Sequence, residues 1–466
     1  MPELPEVETI KNILLKFVLE KRIRDVIVLN RNTIEGDHLA FSENLRGKTI
    51  KSLSRIGKFL IFHLDEDIVF LSHLRMEGKY FFHDHLLSDY DKHACVIFIF
   101  SDGTVLEYND TRKFGLMKLA TATSYRSSPP LSNLGPEPFA VQDKRQLLMK
   151  LARKSLPIKA VLLDQTFLAG LGNIYVDEVL YLTQIHPETP ANQITSEQLD
   201  YIIEASVKVL TMAIQSGGST IRSYHPSQGI DGGFQTKLNA YGKENLPCPR
   251  CHHSLRKIFV GGRGTTYCPK CQKNPSLPYV LGITGPIGSG KSAVLQFFSE
   301  NGYLTLSGDA IVKNLYEDAK VRSLIIKLFG PNVVAEDGRL DKRFIVETII
   351  ADPNKKRRLE KILHPRVEDI VVKSIKEAPK SSKIAIEMPL LFEAKLDDYC
   401  DETIYVDITT AVQKKRLSVR SLPFETLRAL NSGFDAQRNK EKATYVIDNS
   451  STLKKLHSQL KKIVRQ

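Results

Sequence analysis

Four of the six cysteines fall in two Cys-x-x-Cys pairs, Cys248-Pro-Arg-Cys251 and Cys268-Pro-Lys-Cys271, with sixteen residues between them. One tight turn lets each pair supply two thiolates, and two such pairs complete the four-sulfur tetrahedron that Zn²⁺ takes in structural sites. Four thiolates close the shell, so His252 and His253 are not needed as ligands and the metal keeps no open position. A second constellation is Gly285, four residues, then Gly290-Lys291-Ser292, set between an apolar strand pattern and a helical one. Glycines such as Gly285, Gly288 and Gly290, with Ser289 among them, let backbone amides wrap phosphates. Lys291 neutralises the β and γ groups, and Ser292 reaches Mg²⁺. A third is Met-Pro-Glu at the start. If Met1 is removed, Pro2 offers a secondary α-amine with a pKa of about 8, substantially neutral near pH 7 and able to attack an electrophilic carbon. Glu3 beside it can donate a proton.

These residues need elements to hold them. Residues 1 to about 125 carry short alternating apolar segments, among them KFLIFHL, IVFLSHL and ACVIFIF, separated by turn signals, and predict a β-sandwich or barrel. After Ser127-Ser128-Pro129-Pro130 the apolar period lengthens to that of helices, as in KRQLLMKLARK and EQLDYIIEASVKVLTMAIQ. Between Lys237 and Lys273 there are eight basic residues against one acid, Glu244, which points to a phosphate-facing surface. Asn274-Pro275-Ser276-Leu277-Pro278 reads as a linker, placed at 274–279. Alternating strand and helix patterns then run to the C-terminus, as in an α/β domain with a parallel sheet.

The formal charge of +13 suits a polyanionic partner. No run of about 18 apolar residues suggests a membrane span. The acidic start, with Glu3, Glu6 and Glu8, is unlike an export leader, and paired reduced cysteines fit the cytoplasm.

MPELPEVET, HLRMEGK at 73–79, NDTRKFG at 109–115, LDQTFLAGLGNIYVDEVL at 163–180, GGSTIR at 217–222 and the finger ending GGRGTTYCPKCQ resemble, in this order, bacterial formamidopyrimidine-DNA glycosylase over residues 1–273. The resemblance implies a multidomain fold: an N-terminal β-sandwich over 1–126, a helix-two-turns-helix DNA-binding domain over 131–225 and a zinc finger over 237–273. It implies excision of oxidised purines (formamidopyrimidine, 8-oxoguanine) from double-stranded DNA through a Schiff base at Pro2, with Glu3 as acid and Lys58 and Arg263 assisting β,δ-elimination. Met76, Arg112 and Phe114 would fill the gap left by the extruded nucleotide. His93, Lys113, Arg153, Lys154, Lys159 and Asn173 would contact phosphates, and Ser219 and Thr220 would close over the flipped base. Lys113 stands where arginine is more usual, which keeps the charge and loses the fork.

LSGDAIVKNLY, DGRLDKRFIVETI, RRLEKILHPRV, EMPLLFEA, VDITTAVQKKRLSVR and TYVIDN resemble dephospho-coenzyme A kinase over 280–466. That resemblance implies ATP-dependent phosphorylation of the 3′-hydroxyl of dephospho-CoA. Asp309 would accept the proton, and Arg416 and Arg420 would sit in a lid over ATP. Three features depart from the pattern: Ser307-Gly308-Asp309 keeps one acid of a usual two, Pro286 replaces a common glycine, and the lid around Asn431 to Phe434 is altered. The expectation is a bifunctional repair glycosylase and kinase with one structural Zn²⁺. The rival readings are a non-catalytic DNA-binding module with a degenerate P-loop domain, and a glycosylase for oxidised pyrimidines.

Overall fold

The computed structural model describes residues 1–218, 233–418 and 433–464, so Ser219, Thr220 and Arg420 lie outside the described residues. The chain divides into two compact units, Met1–Asn274 and Pro275–Gln466.

The first unit opens with a helix, Leu4–Val18, in a region whose strand patterns dominate the sequence. Leu4, Val7, Ile10, Leu14 and Val18 recur at three- and four-residue spacing and are all buried, the helical period. Pro5 occupies the first turn, where a missing amide leaves no bond unmade, and the Glu3 N–H donates to Glu6 Oε2 at 2.9 Å to close that turn. Two sheets follow. One orders Ile23–Val28, Ala94–Phe100, Val105–Asn109 and Lys79–His83; the other orders Ile34–Glu35, Leu116–Thr121, Ile68–His73, Phe59–Leu64 and Ile50–Ile56. Phe62, Phe70 and Phe98 stack between them, with successive ring centroids 4.2 and 5.5 Å apart. This is a β-sandwich, and the buried face of the first helix joins the same core.

Leu4 does not. It enters a second core built by the helices Lys144–Ala152, Ile158–Leu163, Asn173–Thr183 and Ser196–Gln215, and its N–H donates to the Gly170 carbonyl at 3.1 Å. The start of the chain is thereby fastened to the helical part. Beyond it, Arg256–Val260 and Arg263–Tyr267 form an antiparallel hairpin whose turn residues, Gly261 and Gly262, have φ of +56° and +74°. Positive φ at both centres is the turn that matches strand twist, and glycine adopts it without a Cβ clash.

The second unit is built on a five-stranded sheet in the order Leu304–Ser307, Lys383–Glu387, Tyr279–Thr284, Glu402–Asp407, Tyr445–Asp448, parallel throughout. Its central strand begins at Tyr279, one residue inside the segment expected as linker, and feeds the glycine loop at its C-terminal end. Ligands of parallel sheets bind at that edge. Among the described residues, no helix is long and apolar enough to cross a membrane.

Candidate active sites and metal centre

Pro2 is half-buried just ahead of the first helix. Glu3 is 3% exposed, and its carboxylate caps a different helix: Oε1 accepts the Ile174 N–H at 3.0 Å and Oε2 the Tyr175 N–H at 3.4 Å. Gly172 makes room for it, since a Cβ there would fall 2.3 Å from the Glu3 carboxyl carbon. Burial pushes the Glu3 carboxyl up to about 7, against the pull of Lys58 and with help from neighbouring Glu6. A carboxyl titrating there can hold or release a proton at working pH. Lys58 is also buried; its Nζ donates to the Leu171 carbonyl at 2.7 Å. Burial holds its ammonium below the usual lysine range, while Glu3 and Glu6 favour the charge and Arg263 opposes it. The fold therefore gathers Glu3, Lys58 and Arg263 from three separate elements. Arg55 fixes the turn before Lys58, with Glu8 at 2.9 Å and Glu137 at 2.6 Å, while Glu137 also accepts the Gly57 N–H at 2.6 Å.

Two loops present the residues expected to fill a duplex gap. Met76 and Phe114 are exposed, and the Arg112 guanidinium lies 4.9 Å from the centre of the Phe114 ring. The loops converge on Tyr108: a Cβ at Gly78 or at Gly115 would come within 2.3 or 1.8 Å of its hydroxyl. Asp110 organises the second loop, its buried carboxylate accepting the N–H groups of Arg112 at 2.9 Å, Phe114 at 2.9 Å and Gly115 at 2.7 Å. This bends Lys113 into the left-handed region, φ +56°, and leaves its side chain exposed. His93 is half-buried beside the same loop, its carbonyl accepting the Asp110 N–H at 3.0 Å. Sequence reading passed over Asp110, although an acid two residues before an exposed Arg-Lys pair is the signature of a side chain capping its own turn.

Arg153 caps the end of the helix Lys144–Ala152 and is exposed, and Lys154 is half-buried with Asp164 at 3.1 Å. Lys159 corrects the expectation of a surface phosphate contact. It is 0% exposed, its Nζ 2.6 Å from Asp177 Oδ1 and 3.1 Å from the Gly264 carbonyl. A buried ammonium needs a partner, and Asp177 also accepts the Thr266 N–H at 2.9 Å, so the pair clamps the hairpin that carries Arg263. Asn173 Nδ2 donates to the same Gly264 carbonyl at 3.0 Å. Glu178, unassigned from sequence, accepts the backbone N–H groups of Asn239, Ala240 and Tyr241 at 2.8 to 2.9 Å and so fastens the chain entering the finger.

The sulfurs of Cys248, Cys251, Cys268 and Cys271 lie within 4.8 Å of one another. Cys248 and Cys271 are 4.0 Å apart, Cys251 and Cys268 3.4 Å. A tetrahedron with Zn–S bonds of about 2.3 Å has edges of roughly 3.8 Å, so the four thiolates fit Zn²⁺.

In the second unit a cavity of about 510 Å³ is lined by Gly288, Lys291, Ser292, Asp309, Glu387 and Arg416, among others. Lys291 is buried and donates to the carbonyls of Gly285 at 3.0 Å and Pro286 at 3.2 Å. Asn449 Nδ2 and Arg416 Nη1 both donate to the Ser289 carbonyl, at 2.7 and 3.3 Å, and Arg416 Nη2 donates to the Asn449 carbonyl at 2.9 Å. Glu387, 2% exposed at the end of the strand beside the glycine loop, accepts from Ser307 Oγ at 3.1 Å. Its carboxyl is raised by burial; Lys291 opposes this and Asp309 adds to it. Neither Glu387 nor Asn449 was singled out from sequence, although both lie in segments, EMPLLFEA and TYVIDN, that carry the kinase resemblance: Glu387 ends the strand Lys383–Glu387 and Asn449 directly follows Tyr445–Asp448.

Comparison with known proteins matches four stretches of the chain. Residues 1–117 match the formamidopyrimidine-DNA glycosylase N-terminal domain, 134–225 the glycosylase H2TH domain, 245–274 the zinc finger found in FPG and IleRS, and 279–455 dephospho-CoA kinase. Formamidopyrimidine-DNA glycosylase of Ligilactobacillus salivarius is 48% identical over 276 residues, covering 58% of this chain and 99% of that protein. The Bacillus cereus enzyme is 49% identical over 275 residues, with coverage of 58% and 99%. A crystal structure of Lactococcus lactis Fpg with DNA containing an abasic site superposes with a TM-score of 0.55 at 38% identity, covering 59% of this chain and all of that one.

Proposed function

Because the chain belongs to the formamidopyrimidine-DNA glycosylase family through its first unit and carries a dephospho-CoA kinase domain in its second, we propose that it excises oxidised purines from double-stranded DNA, cleaves the resulting abasic site, and separately phosphorylates dephospho-CoA. The observation that carries the first activity is the buried Glu3 carboxyl, next in the chain to Pro2 and poised near pH 7. With Met1 removed, the Pro2 nitrogen bonds the sugar C1′ while the glycosidic bond breaks and Glu3 gives its proton to the departing side. The sugar ring opens and the nitrogen becomes an iminium. That cation acidifies the C2′ proton, whose removal expels the 3′ phosphate; a second elimination expels the 5′ phosphate. Lys58, held by the Leu171 carbonyl, and Arg263, on the clamped hairpin, assist these departures. Met76, Arg112 and Phe114 occupy the vacated stack, which lowers the cost of extruding the nucleotide. His93, Lys113, Arg153, Lys154 and Asn173 hold the backbone.

Borohydride reduction in the presence of duplex DNA containing 8-oxoguanine tests this directly. A covalent adduct at Pro2 is expected, and its absence from a preparation lacking Met1 would sink the reading.

For the second activity, bound Mg²⁺ would supply charge neutralisation across the β and γ phosphates. Ser292 is the residue placed to ligate it, Lys291 pairs with the phosphates, and Asp309 takes the proton of the 3′-hydroxyl as it attacks. The convergence of Lys291, Ser292, Asp309 and Arg416 on one cavity supports this role. Transfer of labelled phosphate from ATP to dephospho-CoA, lost in Lys291→Ala, is the expected result. We place both reactions in the cytoplasm.

A further inference from the structure

A loop, 164–172, joins the helices Ile158–Leu163 and Asn173–Thr183. The Leu171 carbonyl that receives Lys58 at 2.7 Å accepts a second hydrogen bond, from Gln165 Nε2 at 2.9 Å. The same Nε2 donates to the Leu163 carbonyl at 2.9 Å, and Gln165 Oε1 accepts the Gly170 N–H at 3.0 Å. One carboxamide therefore ties the beginning of the loop to its end. Gly170 turns at φ +101°, a conformation that L side chains rarely adopt, and its own carbonyl accepts the Leu4 N–H one residue after Glu3. A Cβ at Gly170 would lie 2.4 Å from the Leu4 side chain, so the loop and the chain start are in tight contact.

We propose that Gln165 is a positioning residue of the glycosylase half: its carboxamide holds the Leu171 carbonyl and the Gly170 N–H, and through these two residues the Lys58 ammonium and the Pro2-Glu3 segment, in one geometry. The inference rests on the reading of Lys58 as a participant in strand cleavage. Glu3, Glu6, Arg263 and His73 are the charged or titratable groups in electrostatic contact with Lys58. Gln165 is uncharged, so it acts on this cluster through placement, and a carboxylate in its stead would act through charge as well.

The full-length, zinc-loaded protein with Gln165→Met and Gln165→Glu provides the test. Gln165→Met removes donor and acceptor together. Cleavage of abasic-site duplex should slow about tenfold or more while affinity for a tetrahydrofuran-containing duplex, which cannot be cleaved, stays within about threefold. Gln165→Glu puts a negative charge beside Leu171, so the pH midpoint of cleavage should also move up by about one unit. Unchanged rates and midpoint would overturn the inference, as would a loss of cleavage that follows melting temperature and duplex affinity in parallel. Lys58→Gln run alongside separates the two ideas. If that variant cleaves normally, the reading of Lys58 falls and takes this inference with it; if it is slow while both Gln165 variants match the parent, the inference alone falls.

Discussion

Glu3 and Ile174 are 171 positions apart in the chain and joined by a 3.0 Å hydrogen bond from the Ile174 amide to the Glu3 carboxylate. The acid placed beside the amine at the chain start is thus also the cap of a helix in the neighbouring domain. Two consequences follow from one contact. Capping and the helix dipole favour the carboxylate, whereas burial disfavours it, and burial wins by enough to bring the group to about 7 from an ordinary 4.5.

That shift fixes a pH signature. Glu3 has a folded pKa above its unfolded one, so its stabilisation is full below the unfolded value of 4.5 and is lost as pH rises through about 7. Glu3→Gln keeps an acceptor for the Ile174 amide and cannot ionise. Urea unfolding should find the variant more stable by about 1–3 kcal/mol at pH 8 and little changed at pH 5, while base release is lost. A variant less stable than the parent at pH 8 would show that the ionised carboxylate is held favourably and that the shift is misjudged.

Asp110 makes a contrasting case, a buried acid whose role is architectural. Three amides of the Arg112-Lys113-Phe114-Gly115 turn donate to it, so Asp110→Ala leaves them partnerless and the turn free to open. Stability should fall by about 2–3 kcal/mol, and affinity for lesion duplex should drop more than affinity for undamaged duplex, because the pair proposed to fill the gap, Arg112 and Phe114, loses its place. Equal losses on both duplexes would mean that Arg112 and Phe114 do not enter the gap.

The four cysteines, with Asp177 on the Thr266 N–H, hold the base of the Arg263 hairpin, and Lys159 and Asn173 hold its tip side through the Gly264 carbonyl. Chelation or Cys268→Ser should therefore cost DNA binding about tenfold or more, with strand cleavage falling with it. Phosphate transfer to dephospho-CoA by the same preparation should persist, since the kinase residues lie in a separate compact unit. Parallel loss of both activities would contradict that independence.

What the sequence discloses about these sites follows from how their chemistry is built. Thiolates for zinc and amides for phosphate must come from residues close in the chain, so the Cys-x-x-Cys pairs and the Gly290-Lys291-Ser292 loop announce themselves by spacing. The strand patterns of the sandwich are legible for the same local reason, whereas the helix Leu4–Val18 was obscured by the chemistry read into its first residues. Lys159, assigned to phosphate by resemblance alone, is instead buried, because its partner Asp177 comes from the next helix, 18 positions on, which no local spacing reveals. Glu178 and Asn449 act through backbone groups of distant segments and Gln165 through those of its own loop, and a side chain that reads only carbonyls and amides leaves no residue-type signature for its partner.

Asn449 braces the glycine loop. Its Nδ2 bonds the Ser289 carbonyl, and a Cβ on Gly290, which stands at φ +92°, would lie 2.3 Å from that Nδ2. Gly290→Ala therefore carries two penalties, a backbone strain of about 1–2 kcal/mol and the displacement of the Asn449 side chain from the Ser289 carbonyl. Together they should weaken ATP binding by about tenfold or more, measured by calorimetry on the intact chain, with glycosylase activity as the internal control. Asn449→Ala alone removes one hydrogen bond and should cost about threefold to tenfold. The double variant distinguishes the penalties: if the collision dominates, Asn449→Ala in the Gly290→Ala background recovers affinity; if strain dominates, the losses add. ATP binding left intact by Gly290→Ala would mean that the loop closes on phosphate in a different conformation from the one that Ser289, Asn449 and Arg416 now enforce.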